Sequence, residues 1–127
     1  PVARHTVWGP QRCRKVLDEI GSHNLQVLFD AVNMLDLDNV DRRDEVVAEG
    51  LELLGPDIAM VHFKDFIRCE EGWGLKSVGA GTGEMDYSAI MRFVKAEKPF
   101  VYATLENTTP ENAEQCRLNM VKAYNEA

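Results

Sequence analysis

The stretch "IAMVHFKDF", residues 58–66, decides how this chain is read. Four apolar residues run without interruption into His62, and then a lysine and an aspartate stand side by side at Lys64 and Asp65. A continuous apolar run bounded by polar residues is the pattern of a strand buried on both faces, as parallel strands are. Its end carries an imidazole and two opposite charges. Immediately upstream, Gly55 and Pro56 stop an amphipathic helix expected over residues 39–54, with Val40, Val47, Leu51 and Leu54 on one stripe. Before that helix, "NLQVLFD" (24–30) has the same strand character and runs into Asp30. Earlier still, Pro10 opens a short helix in which Cys13, Val16, Leu17 and Ile20 keep helical spacing before Gly21. Downstream lies a Gly-rich connection, "EEGWGLKSVGAGTGEMD" (70–86). A helix over residues 87–97 is expected next, with Ile90, Phe93 and Val94 inward, then the strand "FVYATLE" (100–106). Thr109 and Pro110 are expected to cap and open a last helix carrying Ala113, Cys116, Met120, Val121 and Tyr124.

Helices and strands thus alternate from end to end, which predicts α/β architecture with parallel strands and right-handed crossovers. All strand C-termini then lie on one edge, where α/β proteins build their sites. The three strands finish at Asp30, His62 and Glu106. Any one of these has an ordinary explanation: a turn-forming aspartate, a hydrogen-bonded histidine, an ion-paired glutamate. Three in the same relative position are read together, as ligands of one divalent metal. Two carboxylates and an imidazole suit Mn²⁺, Mg²⁺, Co²⁺ or Zn²⁺.

Composition narrows the classes of function. The chain has 127 residues, 45% of them apolar, enough for one domain with a core. A net charge of −7 with no basic cluster argues against nucleic acid as a partner. No apolar stretch reaches the roughly 18 residues of a membrane span, and no membrane association is expected. Cys13, Cys69 and Cys116 are odd in number and widely spaced, which points to packed, reduced thiols and a cytoplasmic location.

Four segments, "VLFDAVNML", "VHFKDF", "VGAGTGEMDYSAI" and "TLENTTPENA", resemble the sugar phosphate isomerase/epimerase family of xylose-isomerase-like barrels, relatives of the ketose 3-epimerases. The resemblance covers essentially the whole chain. It implies a single domain of parallel βα units forming the C-terminal part of a TIM (β/α)8 barrel, incomplete here. It also implies metal ligation by Asp30, His62 and Glu106, with Glu106 as the catalytic base. Substrate contacts fall on Asn33 and Arg68, and Lys64 and Asp65 stand just past the ligand, as substrate contacts or as an exposed salt-bridged loop start. The implied substrate is a small-molecule ketose or ketose phosphate, isomerised or epimerised through an enediolate. In the family a fourth ligand, a glutamate, directly precedes a segment like "PVARHT", so the chain is expected to be a fragment of a longer polypeptide. Open barrel edges would then drive homo-oligomerisation or other association. Related endonucleases acting on abasic DNA share the barrel but need further His and Asp ligands. Asn33 stands where one such His belongs, and "KSVGAGTG" lacks others, so that metal-hydrolase reading is the alternative. A noncatalytic α/β interaction module is another. The glycines at 79, 81 and 83 are read as a flexible active-site loop, and Trp73 as a lid or an interface anchor.

Overall fold

The computed structural model describes residues 5–70, 72 and 74–127; Trp73 and the first four residues lie outside the described residues. In chain order the elements are α1 (Pro10–Ile20), β1 (Val27–Asp30), α2 (Arg43–Leu54), β2 (Ile58–Phe63), β3 (Asp65–Arg68), β4 (Leu75–Val78), α3 (Ser88–Glu97), β5 (Tyr102–Leu105) and α4 (Ala113–Glu126). Strands β1, β2 and β5 form one parallel sheet in that order, so β2 is central. The expected mixed α/β class with parallel strands is therefore present. Helix α1 packs on α2, α2 on α3, and α3 on α4. No helix among the described residues is long and apolar enough to cross a membrane.

Strand alternation sorts the side chains onto two faces. In register, Phe29 stands beside Val61 and Val61 beside Ala103. Phe29 and Val61 are buried in the main core with Leu54, Ile90 and Cys116, which makes this the helix-covered face. Full burial of a side chain the size of Phe29 contributes on the order of 1.5–3 kcal/mol. The neighbouring register positions lie on the other face: Leu28, Met60 and Tyr102, then Asp30, His62 and Thr104. No helix covers that row completely, for Leu28 is 43% and Tyr102 78% exposed.

Four local outcomes differ from the sequence expectation. Helix α2 begins at Arg43 rather than 39, because the Asn39 side chain serves the preceding loop: its Nδ2 donates to Met34 O and its Oδ1 accepts the Asp36 N–H. Helix α4 begins at Ala113 because Thr109 donates its N–H to Asn112 Oδ1 in a turn instead of capping the helix. The "LKSV" segment, inside the stretch read as a Gly-rich connection, is a strand that pairs antiparallel with "DFIR" just before that stretch. Finally, Ile20, Val121 and Tyr124 keep helical spacing but remain exposed.

The glycine segment is stitched down rather than free. Gly83 and Met85 donate their N–H groups to the Asp65 carboxylate, Glu84 donates to Phe66 O, and Gly81 donates to the Tyr87 hydroxyl. Gly83 approaches so closely that a Cβ there would lie 2.1 Å from Phe66 O and 2.6 Å from Asp65 Oδ1. Gly83→Ala should therefore lower stability by about 1–3 kcal/mol, the usual range for overpacking a tight position. Urea unfolding checks this, and a change within about 0.5 kcal/mol would show the approach to be looser than described.

Candidate metal centre

The ends of the three parallel strands come together on the face opposite the helices. Asp30 and His62 are register partners across β1 and β2, and the Glu106 N–H continues the β2–β5 ladder by donating to Phe63 O. Asn107, immediately after Glu106, takes a positive φ of 53°, a left-handed turn that Asn tolerates better than most residues. Strand register and that turn together place Glu106 beside His62.

The distances are those of a compact cluster. His62 Nδ1 lies 2.8 Å from Glu106 Oε1 and 4.0 Å from Asp30 Oδ2. Ligand atoms of Asp30, His62 and Glu106 all lie within 4.8 Å of one another. Donors bound to one ion at roughly 2.0–2.3 Å stand about 3–4.6 Å apart, so small side-chain adjustments would let all three meet a divalent cation. The donor chemistry, two carboxylate oxygens and one ring nitrogen, fits such an ion.

Asn33 belongs to the same cluster. It sits in a 3-10 turn (Val32–Met34) directly after β1. Its backbone N–H donates to Asp30 Oδ1 and its Nδ2 donates to Asp30 Oδ2 at 2.9 Å. Asp30, only 2% exposed, is thereby fixed in orientation.

Lys64 is the fifth member, and it stands at the centre. Its Nζ lies 2.8 Å from Asp30 Oδ2 and 2.9 Å from Glu106 Oε2, and it donates to Asn33 Oδ1 at 2.8 Å. Burial alone would lower the pKa of this ammonium, but the hydrogen bonds to Asp30 and Glu106 outweigh it and hold Lys64 above the ordinary lysine value. In return, the hydrogen bond from Lys64 holds the Glu106 carboxyl below the usual carboxylate range, partly offset by burial.

Asp65 points elsewhere. At 1% exposure it is no solvent-facing loop residue, and it makes no pair with Lys64. Its two oxygens accept three backbone N–H groups, from Phe66, Gly83 and Met85. The reading of Lys64 and Asp65 as an exposed salt-bridged pair is corrected by this burial, and Asp65 instead anchors the glycine segment. Arg68 is not brought to the cluster either. Its guanidinium pairs with Asp41 and Glu84.

Tyr87 was not singled out in the sequence, yet it supports the site from behind. Its hydroxyl donates to Lys64 O at 2.9 Å and accepts the Gly81 N–H. Burial, with the Asp65 charge nearby, pushes its pKa up, so the hydroxyl stays protonated and keeps donating. Only its place in a buried helix turn could have signalled this, and that signal is indistinguishable from simple core packing. Cys13 and Cys116 are free thiols, and Cys116 is buried.

No protein-family model matches the chain, and no curated protein matches it. The geometry of the cluster must carry the functional reading.

The depressed Glu106 carboxyl fixes the sign of a pH effect in metal-free protein. A group whose folded pKa lies below its unfolded value of about 4.3 contributes stability that is present above that value and lost as pH falls through the folded pKa. The stability advantage of the unaltered protein over Glu106→Gln should be full near neutrality and should shrink as pH falls below about 4. Melting both proteins in chelator across this range checks it. A gap independent of pH would mean that the Lys64–Glu106 contact is absent in solution.

Proposed function

We propose that this chain carries the metal-binding and catalytic residues of a divalent-metal-dependent isomerase or epimerase acting on a ketose or ketose phosphate. The observation that carries the reading is the convergence of Asp30, His62 and Glu106, one from each parallel strand, on one face of one sheet end. The resemblance of the surrounding segments to the sugar phosphate isomerase/epimerase family supports it. We also take the three-stranded sheet as part of a (β/α)8 barrel. In support, the face bearing the ligands also bears Leu28, Met60 and Tyr102, an apolar row suited to a barrel interior.

Asp30, His62 and Glu106 would hold the ion, which when bound supplies Lewis-acid charge that favours ionisation beside a carbonyl. The protein's own part is proton transfer and positioning. Glu106 removes the proton from the carbon next to the carbonyl. Asn33 holds the Asp30 carboxylate in a single orientation. Lys64 supplies positive charge on the side where the enediolate oxygens carry negative charge. Asp65 and Arg68 take no direct part in this scheme, because their polar atoms serve the glycine segment and the Asp41–Glu84 pair.

The test is solvent-deuterium incorporation into a panel of ketoses and ketose phosphates, with metal content measured on each variant. Glu106→Gln keeps the shape and one oxygen donor but removes the basic oxygen. Its exchange rate should fall by about 10²–10⁴-fold, the range for a lost general base, while metal content falls less. Asp30→Asn and His62→Ala should lose metal first. Exchange as fast as the parent's at full metal occupancy in Glu106→Gln would remove it as the base.

The barrel reading has a separate consequence. Among the described residues, strands β1 and β5 each have one edge without a neighbouring strand, and Tyr102 on β5 is largely exposed. Such edges template association. In sedimentation velocity the 127-residue chain should self-associate. A monodisperse monomer that unfolds cooperatively would favour a self-sufficient smaller fold over a barrel portion.

A further inference from the structure

Asp30 and Glu106 already share a cation, and it is covalently part of the chain. The Lys64 ammonium has three N–H donors and uses them on three oxygens, Asp30 Oδ2, Glu106 Oε2 and Asn33 Oδ1, all at 2.8–2.9 Å. Its side chain is 7% exposed, so bulk water contributes little to holding it there. Three oxygens around a positive centre, with His62 adjoining Glu106, make up the surroundings a metal ion would also use.

Both cations cannot keep the same place. An ion bound to Asp30 Oδ2 at roughly 2.0–2.3 Å would stand only about 4 Å from an ammonium on the same oxygen, and like charges so close in a partly buried site repel strongly. The ligands have little freedom to separate, because Asp30 is tied through both oxygens to Asn33. The Lys64 backbone is tied too, by the Tyr87 hydroxyl on its carbonyl and by the buried Asp65 that follows. The flexible part of the assembly is the four-carbon stem of Lys64.

We propose that Lys64 is the resident counter-cation of this centre: without metal it bridges Asp30 and Glu106, and an entering divalent ion displaces it. This inference rests on the metal-binding reading above and adds a selection rule to it. A monovalent ion brings no more charge than the ammonium it must displace, whereas a divalent ion brings twice as much. Lys64 therefore weakens metal binding overall and biases it toward divalent ions. Once displaced, the ammonium remains tethered beside the cluster, where it can donate to a substrate oxygen.

The experiment is calorimetric titration of Mn²⁺ into chelator-treated full-length protein and its Lys64→Met variant. Methionine keeps most of the stem and removes the charge. The variant should bind Mn²⁺ about tenfold tighter, the lower end of what changes around metal ligands produce. Its metal-free form should melt lower, and Mn²⁺ should raise its melting temperature more than it does the parent's. Equal or weaker Mn²⁺ binding by a folded Lys64→Met would overturn the proposal and leave the metal centre intact. Failure of both proteins to bind Mn²⁺ would remove the metal reading and this inference with it. Should the variant fail to fold, amine acylation of the unaltered protein decides. Lys64 should be protected without Mn²⁺ and modified faster at saturating Mn²⁺, whereas a rate indifferent to Mn²⁺ would overturn the displacement.

Discussion

Backbone alternation at the end of β2 is the constraint on which the site depends. Successive side chains of an extended chain point to opposite faces. His62 and Lys64 therefore reach the face shared with Asp30 and Glu106, while Phe63 and Asp65 turn toward the core and the glycine segment. Two opposite charges adjacent in sequence are thus separated, and each finds a different partner. Lys64 joins two carboxylates; Asp65 gathers three backbone N–H groups. A one-residue slip in register would exchange these destinations, placing an ammonium among orphaned N–H donors and a third carboxylate beside Asp30 and Glu106.

Burial makes the arrangement costly to leave incomplete. Lys64 and Asp30 are nearly inaccessible, and a buried ion pair gains its Coulomb energy only after two charges have been taken from water. Such pairs contribute little net stability over well-packed apolar residues. Breaking one by removing a single partner, however, costs on the order of 3–5 kcal/mol because the other charge is left stranded. The hydrogen bonds from Asn33 to Asp30 and from Tyr87 to the Lys64 carbonyl act on the same assembly. They reduce the freedom of the groups that must converge. The cluster is better explained as a preorganised site than as a stabilising device.

Much of this was legible in the sequence, for identifiable reasons. The alternation of apolar runs with helical stripes gave the parallel strands, and their end residues gave Asp30, His62 and Glu106 as a set. Asn33 came only from the family resemblance, as a substrate contact; its two hydrogen bonds to the Asp30 carboxylate were not expected. What was not legible depends on contacts distant in sequence. Nothing near Asp65 announces that its partners are Gly83 and Met85, and nothing near Arg68 points to Asp41. The β3–β4 hairpin was hidden by surrounding glycines, which read as flexibility although one of them, Gly83, marks a close backbone approach. Helix starts at Asn39 and Thr109 were misplaced because side chains able to cap a helix can equally close a turn before it.

The two rows on the open face of the sheet bear on one another. Asp30, His62 and Thr104 form one row, and Leu28, Met60 and Tyr102 form the row one step closer to the strand N-termini. An apolar row facing water has no stabilising role of its own, while a carboxylate pair bridged by an ammonium gains strength when water is excluded from it. Covering the face would satisfy both requirements at once. On the proposed barrel reading the apolar row becomes one of the packed interior layers and forms the floor of the site, with the ligands in the layer above it. The low-dielectric floor would then strengthen every charge interaction among Asp30, Lys64 and Glu106. It would also raise the stakes of which cation sits between them, because repulsion between an ammonium and an incoming ion grows as water withdraws.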